Sequence, residues 1–137
     1  MSKKLIEALV NLDEDSVLKE VKELKEKKVE TPDIIAFLQE GMAGVGKKYE
    51  SEEYFLSELI MSADIFKMAT AILGESAKAA EYARKNGTFV LGTIYDDIHD
   101  IGKNIVASIM SANGFDVVDI GIDVPTAKFI EAIKLHK

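Results

Sequence analysis

Cysteine and tryptophan are absent from the 137 residues, and proline and histidine occur only twice each. Without cysteine there is no disulfide framework, no zinc ribbon and no thiol nucleophile. No apolar run approaches the roughly 20 residues that span a bilayer. The opening stretch MSKKLIEALVNLDEDS lacks the apolar segment and small-residue cleavage site of a secretory leader. Positive charge is short as well: 17 basic residues against 24 acidic ones leave a net charge of −7. No basic stripe is available to neutralise phosphates, which argues against nucleic acid or an anionic membrane as a partner. A cytoplasmic protein is the expectation, and at 47% hydrophobic residues it can bury one substantial core or two small ones.

Up to Asn86-Gly87 the apolar residues recur at helical period. Leu5, Ile6, Leu9 and Val10 mark a short first helix. Asp13 or Asp15 caps a second, with the stripe Val17, Leu18, Val21 and Leu24. Its mixed-sign run KEVKELKEKKVE pairs Glu23 with Lys27 and reads as a solvated face. The tripeptide Thr31-Pro32-Asp33 predicts a helix start with Thr31 as N-cap and Pro32 at the first helical position. The stripe Ile34, Ile35, Leu38, Met42, Val45 and Tyr49 follows. A fourth helix begins near Glu53, with Leu56, Leu59, Ile60, Ala63, Phe66, Thr70 and Leu73 inward and Gly74 at its end. The run ESAKAAEYARKNG adds a helical connector. Four amphipathic helices with short links predict an antiparallel bundle.

Beyond Gly87 the period changes. TFVLGTI is a nearly all-apolar, β-branched run, as expected of a parallel strand covered on both faces. Ile105, Val106, Ile109 and Met110 mark a helix ending at Asn113-Gly114. FDVVDIG is a second strand, and VPTAKFIEAIKLHK a second helix with Pro125 in its first turn. The order strand, helix, strand, helix implies right-handed crossovers in a doubly wound parallel sheet. Two strands are too few to stand alone. The sequence therefore reads as stopping in the middle of a domain, and either self-association or a loosely ordered second half is expected.

Between the first strand and its helix lies YDDIHDIGKN, Tyr95 to Asn104. In open α/β sheets, ligands bind beyond the carboxyl ends of the strands. His99 can offer a ring nitrogen to a metal there, and Asp97 can accept a hydrogen bond from the other ring nitrogen. Gly102 lets a bulky ligand approach the backbone. The plainer reading has the aspartates capping the helix and His99 as an incidental loop residue. Asp96, Asp97, His99 and Asp100 could also form an oxygen-rich magnesium or manganese site of a hydrolase or lyase.

The hexapeptide DIHDIG fits Asp-x-His-x-x-Gly, and GTIYDDIHDIGKNIV resembles the fingerprint of cobalamin-binding domains. Upstream, GMAGVGKKYESEEYFLSELIMSA, Gly41 to Ala63, resembles the helical cap module of methionine synthase and of the corrinoid proteins of methyl-transfer systems. The resemblance covers nearly the whole chain in the order bundle, linker, cobalamin half. It implies an all-α four-helix bundle over residues 1–86, connector included. An incomplete, doubly wound, Rossmann-like or flavodoxin-like cobalamin-binding domain follows over 87–137. It implies that His99 is the lower ligand of the cobalt and that Asp97 hydrogen-bonds it, with Asp100, Gly102, Gly92 and Met42 also at the cofactor. Tyr49 and Leu56 match the residues that cover the upper face of the cobalt and exclude water from it. Their seven-residue spacing fits a helical core equally well. The glycines at 41, 44 and 46 read either as a close helix crossing or as room for the corrin ring.

Two departures stand out. Asp96 occupies a position where the family usually has glycine. The family's later Ser-x-Leu and Gly-Gly segments, which hold the cofactor's nucleotide tail, do not follow Asp123. The function implied is a corrinoid carrier, not catalytic alone, that moves a methyl group between a substrate-specific methyltransferase and an acceptor methyltransferase using tetrahydrofolate or coenzyme M. A non-catalytic cobalamin sensor is the other cobalamin reading, although no basic DNA-binding segment accompanies it. Cobalamin mutases share the histidine motif without the bundle.

Overall fold

The computed structural model describes residues 2–74 and 86–136. The expected helical connector falls on 75–85 and lies outside the described residues. Four helices come first: α1 (Ser2–Val10), α2 (Glu14–Glu26), α3 (Thr31–Glu50) and α4 (Leu56–Ile72). Strand β1 (Thr88–Leu91), helix α5 (Ile101–Ala112), strand β2 (Asp116–Asp119) and helix α6 (Thr126–Leu135) follow.

Local chemistry sets most of these boundaries. Asp13 caps α2 by accepting from the Ser16 amide at 3.2 Å and the Ser16 hydroxyl at 2.6 Å. These bonds, the hydroxyl's first, hold the Asp13 carboxyl below its ordinary range. Glu30, not Thr31, is the N-cap of α3, so Pro32 sits second in the helix, where its missing N–H still costs nothing. Helix α4 starts three residues later than Glu53. The Glu58 carboxylate reaches back to the Phe55 amide at 2.7 Å and closes the helix entry there. Gly74 adopts φ +102 just past the last turn of α4. Pro125 lies immediately before α6, at its N-cap, rather than inside its first turn.

The core belongs to the helical half. Leu5, Leu9, Val17, Val21, Ile34, Ile35, Leu38 and Val45 are fully buried, and Ala63, Ile65, Phe66 and Ala69 of α4 close the cluster. Each such aliphatic side chain contributes about 1.5–3 kcal/mol by burial. Two of the three clustered glycines explain how α1 and α3 meet. A Cβ on Gly41 would lie 2.8 Å from Leu9 Cδ2, and one on Gly44 would lie 2.5 Å from Val10 Cγ2. The close crossing is therefore their role, whereas Gly46 faces open space.

In the α/β half, β1 and β2 pair in parallel, with Thr88 opposite Asp116 and Leu91 opposite Asp119. A further parallel bridge joins Ile94 to Val124, so the chains stay side by side past the strand ends. Gly92 is needed at this seam: a Cβ there would lie 2.8 Å from Ile120 Cγ1 and 3.2 Å from the Gly121 carbonyl. The expectation of strands covered on both faces is not met. Phe89 is exposed and Val90, Leu91, Val117 and Val118 are only half-buried in this two-stranded sheet. Helix α5 links the halves. Ala112 and Ile109 join the helical core, and Lys67 Nζ on α4 donates to Ser108 Oγ at 3.2 Å. Among the described residues, no helix is long and apolar enough to cross a membrane.

Candidate cofactor site

The carboxyl edge of the sheet carries the loop 92–100, and this loop is built to hold one side chain in one orientation. Asp97 Oδ1 accepts from His99 Nδ1 at 2.7 Å and from the His99 amide at 3.0 Å. The amide bond and then the ring bond hold the Asp97 carboxyl below the usual carboxylate range. An ionised carboxylate only accepts, so Nδ1 carries the hydrogen and Nε2 of the neutral ring keeps its lone pair free. The His99 side chain is 93% exposed, and that lone pair is open to a ligand.

Large apolar residues are exposed along the same segment as His99. Ile94, Tyr95, Ile98 and Ile101 are each at least 70% exposed, an unusual density of large apolar groups beside one loop. At Gly102, in the first turn of α5, a Cβ would meet nothing within 4 Å, so the backbone there is bare. Asp100 occupies the N-cap position of α5, but its side chain makes no cap bond. The reading in which these aspartates serve mainly as helix caps therefore fails. The divalent-ion reading is not favoured either. Among the described residues no group of three or more His, Asp or Glu side chains is placed to hold a metal ion. Asp97 is engaged with His99, and the remaining carboxylates do not converge with it.

Asp96 shows why glycine would suit its position. Its φ is +68, in the left-handed region that L-residues enter at a cost. Asp is among the side chains that tolerate this conformation, and the next residue still faces His99.

The other expected site residues divide. Tyr49 and Leu56 are 46% and 48% exposed, at the end of α3 and the start of α4, and neither belongs to the core. Tyr49 lines a surface cleft with Glu50, Glu52, Tyr54 and Phe55. Met42, only 3% exposed, is packed inside the helical core and is not brought to that surface. Gly92 is at the sheet edge but is filled by its neighbours, as described above. A second cleft of about 260 Å³ runs between α4 and α5, lined by Ile60, Asp64, Ile101, Asn104 and Ile105 among others. These residues could hold a bulky cofactor through an oriented imidazole nitrogen, exposed apolar groups in the same segment and a bare glycine.

Sequence reading passed over two pairs at the same edge. Lys103 Nζ, on a side chain 7% exposed, bonds Asp119 Oδ2 at 2.6 Å and Asn104 Oδ1 at 2.8 Å. The Lys103 bond, followed by one from the Gly121 amide, lowers the Asp119 carboxyl. Asp123, from the neighbouring loop, bonds Asp96 and Thr93 of the histidine loop, and Thr93 bonds Asp97 within it. The available signal was topological: adjacent parallel strands place their following loops side by side.

Comparison with known proteins identifies the family of the chain. A family described as B12 binding domain matches residues 1–73, and a second family of the same description matches residues 87–137. Dimethylamine corrinoid protein 1 of Methanosarcina mazei is 36% identical over 130 residues, covering 95% of this chain and 60% of that protein. A corrinoid protein of Desulfitobacterium hafniense is 36% identical over 133 residues, covering 92% of this chain and 60% of its own length. The chain thus spans about 60% of the length of these curated relatives. Among solved structures, a cobalamin-binding protein of Desulfitobacterium hafniense superimposes with a TM-score of 0.77 at 32% identity, over 98% of this chain and 64% of the other. The methanol:cobalamin methyltransferase complex MtaBC of Methanosarcina barkeri gives a TM-score of 0.70 at 29% identity, over 97% of this chain and 51% of the matched one. The chain belongs to the B12 binding domain family.

Proposed function

We propose that this protein is a corrinoid methyl carrier, binding cobalamin through His99 and serving a pair of methyltransferases. The observation that carries the reading is the 2.7 Å bond from His99 Nδ1 to Asp97, which leaves Nε2 of a 93% exposed ring free to ligate. Bound cobalamin would supply a cobalt centre that can take up and give away a methyl group. Asp97 fixes the ring's tautomer and direction and raises the basicity of the donor nitrogen. Ile94, Tyr95, Ile98 and Ile101 offer apolar surface to the ring system, and Gly102 lets it approach the start of α5. Asp100 borders the same face.

Residues 1–86 act as a four-helix cap and residues 87–137 as the ligand-bearing half. Tyr49 and Leu56 would shield bound cobalamin from water, a role supported by their exposure at the α3–α4 end of the helical half. Access for a partner would require the cap to move. The partners are a methyltransferase specific for the donor and a second one for the acceptor. The names of the relatives, dimethylamine and trimethylamine corrinoid proteins, favour small methylated donors, with the choice residing in the partner enzyme.

The test is reconstitution with cobalamin, gel filtration and an absorption spectrum, followed by electron paramagnetic resonance of the cobalt(II) form in nitrogen-15 histidine-labelled protein. A corrinoid band that travels with the protein and coupling to one protein nitrogen are expected. Coupling that persists unchanged in His99→Ala removes His99 from the ligand role.

A further inference from the structure

The loop that carries His99 is clasped from the neighbouring β2–α6 loop by one residue, Asp123. Its Oδ1 accepts the Asp96 N–H at 2.6 Å. Its own N–H is shared between the Asp97 carbonyl and Thr93 Oγ1, both at 2.9 Å. The Thr93 hydroxyl in turn donates to the Asp97 carbonyl at 2.6 Å. Both Asp96 and Asp123 lie in the left-handed region, at φ +68 and +52, and face each other across this network. Below them the two chains are joined by Thr93 N–H to the Gly121 carbonyl at 3.0 Å and Val124 N–H to the Thr93 carbonyl at 2.9 Å.

The consequence falls on Asp97. Its N–H bonds the Ile94 carbonyl at 3.0 Å, and its carbonyl takes two donors, Thr93 Oγ1 and Asp123 N. With both main-chain groups engaged, the Cα–Cβ bond of Asp97 has one direction, toward the His99 ring. An aspartate two residues from a ligand histidine in a free loop would have many.

We propose that Asp123, assisted by Thr93, is a positioning residue for the His99–Asp97 pair, fixing from the adjacent loop the direction in which the imidazole is presented. This rests on the reading of His99 as the cobalt ligand. Asp123 does not touch the cofactor; it acts through the main chain of Asp96 and Asp97.

Two measurements on the full chain test it. In apo protein, amide exchange at Asp96 should quicken about tenfold or more in Asp123→Ala, with the amides of α3 unchanged. In cobalamin-loaded, nitrogen-15 histidine-labelled protein, the share of cobalt(II) coupled to a protein nitrogen should fall in Asp123→Ala by about tenfold, the scale of losing a group that orients a ligand. Asp123→Asn should restore it, because an amide oxygen still accepts from Asp96. Faster exchange with unchanged coupling overturns the proposal, and so does unchanged exchange. If Asp123→Ala fails to fold, Thr93→Val removes the hydroxyl that bridges Asp97 and Asp123; unchanged coupling there also overturns it. A wild-type protein without protein-nitrogen coupling removes the His99 reading and the proposal together. The proposal fails alone when the wild type and Asp123→Ala are equally coupled.

Discussion

The two halves of this chain contain similar apolar runs and use them differently. In the helical half the apolar stripes meet one another, and Leu5, Leu9, Ile34, Ile35 and Leu38 vanish from solvent. In the α/β half, among the described residues, only Ala112, Val124 and Ala132 are buried apolar residues. Ile94, Ile98, Ile101, Ile130 and Ile133 stay exposed, though they are chemically equivalent to the isoleucines of α3. The difference is one of layers, not of composition. Four helices can surround a core, whereas two strands and two helices leave a sheet face and a loop edge open. The exposed edge is the one that holds His99. Among the described residues the buried apolar cluster lies mostly in the helical half, and His99 lies on the exposed edge of the other.

The largest effect should come from cutting into the first half. Leu38→Ala removes a fully buried side chain and should cost about 2–5 kcal/mol. Val118→Ala, in half-buried β2, should cost about 1 kcal/mol. Urea denaturation of both variants measures this. Equal losses would show that the strands are as well packed as the helices and would end the contrast.

Next comes the helix crossing. Gly41→Ala must push Leu9 aside, a strain of about 1–3 kcal/mol, offset by about 1 kcal/mol of better helix propensity. A net loss should appear in the thermal midpoint, and Gly46→Ala, which meets open space, should show none. Equal outcomes would mean that α1 and α3 do not depend on close approach.

Much of this arrangement is legible in the sequence, for identifiable reasons. Local signals act within one turn, so the Asp13 cap, the stripes of α2 and α3 and the strand–helix order could be read directly. The Asp97–His99 pair was readable because two residues in one short loop can face each other. Thr31 and Pro125 were displaced by one position, since a proline near a helix start is compatible with more than one cap. Tyr49 and Leu56 fit the apolar period yet are exposed, because periodicity gives a face and not where along the helix the neighbouring packing ends. The Asp123 clasp had no local signal at all. The Asp123 carboxylate accepts from the main-chain N–H of Asp96, 27 residues away in sequence. Lys103 likewise has no local signal of its partner, because Asp119 comes beside it only through the parallel strand pairing.

That ion pair gives the α/β half its own acid sensitivity. The Asp119 carboxyl titrates below the ordinary 3.8 because Lys103 and the Gly121 amide bond its charged form. Its stabilisation is therefore complete above that value and is lost as pH falls through the lower folded-state value. Asp119→Asn should be less stable than wild type at neutral pH, by an amount small enough that the helical half stays folded. It should also show a flatter loss below pH 3.8. The readout is hydrogen exchange in β2 and α5 across the acid range. A wild type and variant that lose protection in parallel would mean that the pair adds nothing to the sheet edge.

The smallest effect on stability, and the sharpest separation of folding from binding, should come from Gly102→Ala. The position is in the first turn of α5, its φ lies outside the left-handed region, and a Cβ there meets no atom within 4 Å. An added methyl group therefore neither strains the backbone nor crowds the fold. The apo protein should keep its stability within about 0.5 kcal/mol. If Gly102 is bare because a corrin ring lies against it, the same methyl group takes the ring's space, and cobalamin affinity should fall while unfolding is unchanged. Titration of the apo variant with cobalamin, followed by absorption, measures the first quantity and urea denaturation the second. Unchanged affinity would place the ring away from α5 and leave the bare glycine as ordinary surface. A drop in both would mean that the helix start is more constrained than its open surroundings indicate. Only loss of binding with an intact fold keeps the division between a half that supplies stability and a half that supplies the ligand surface.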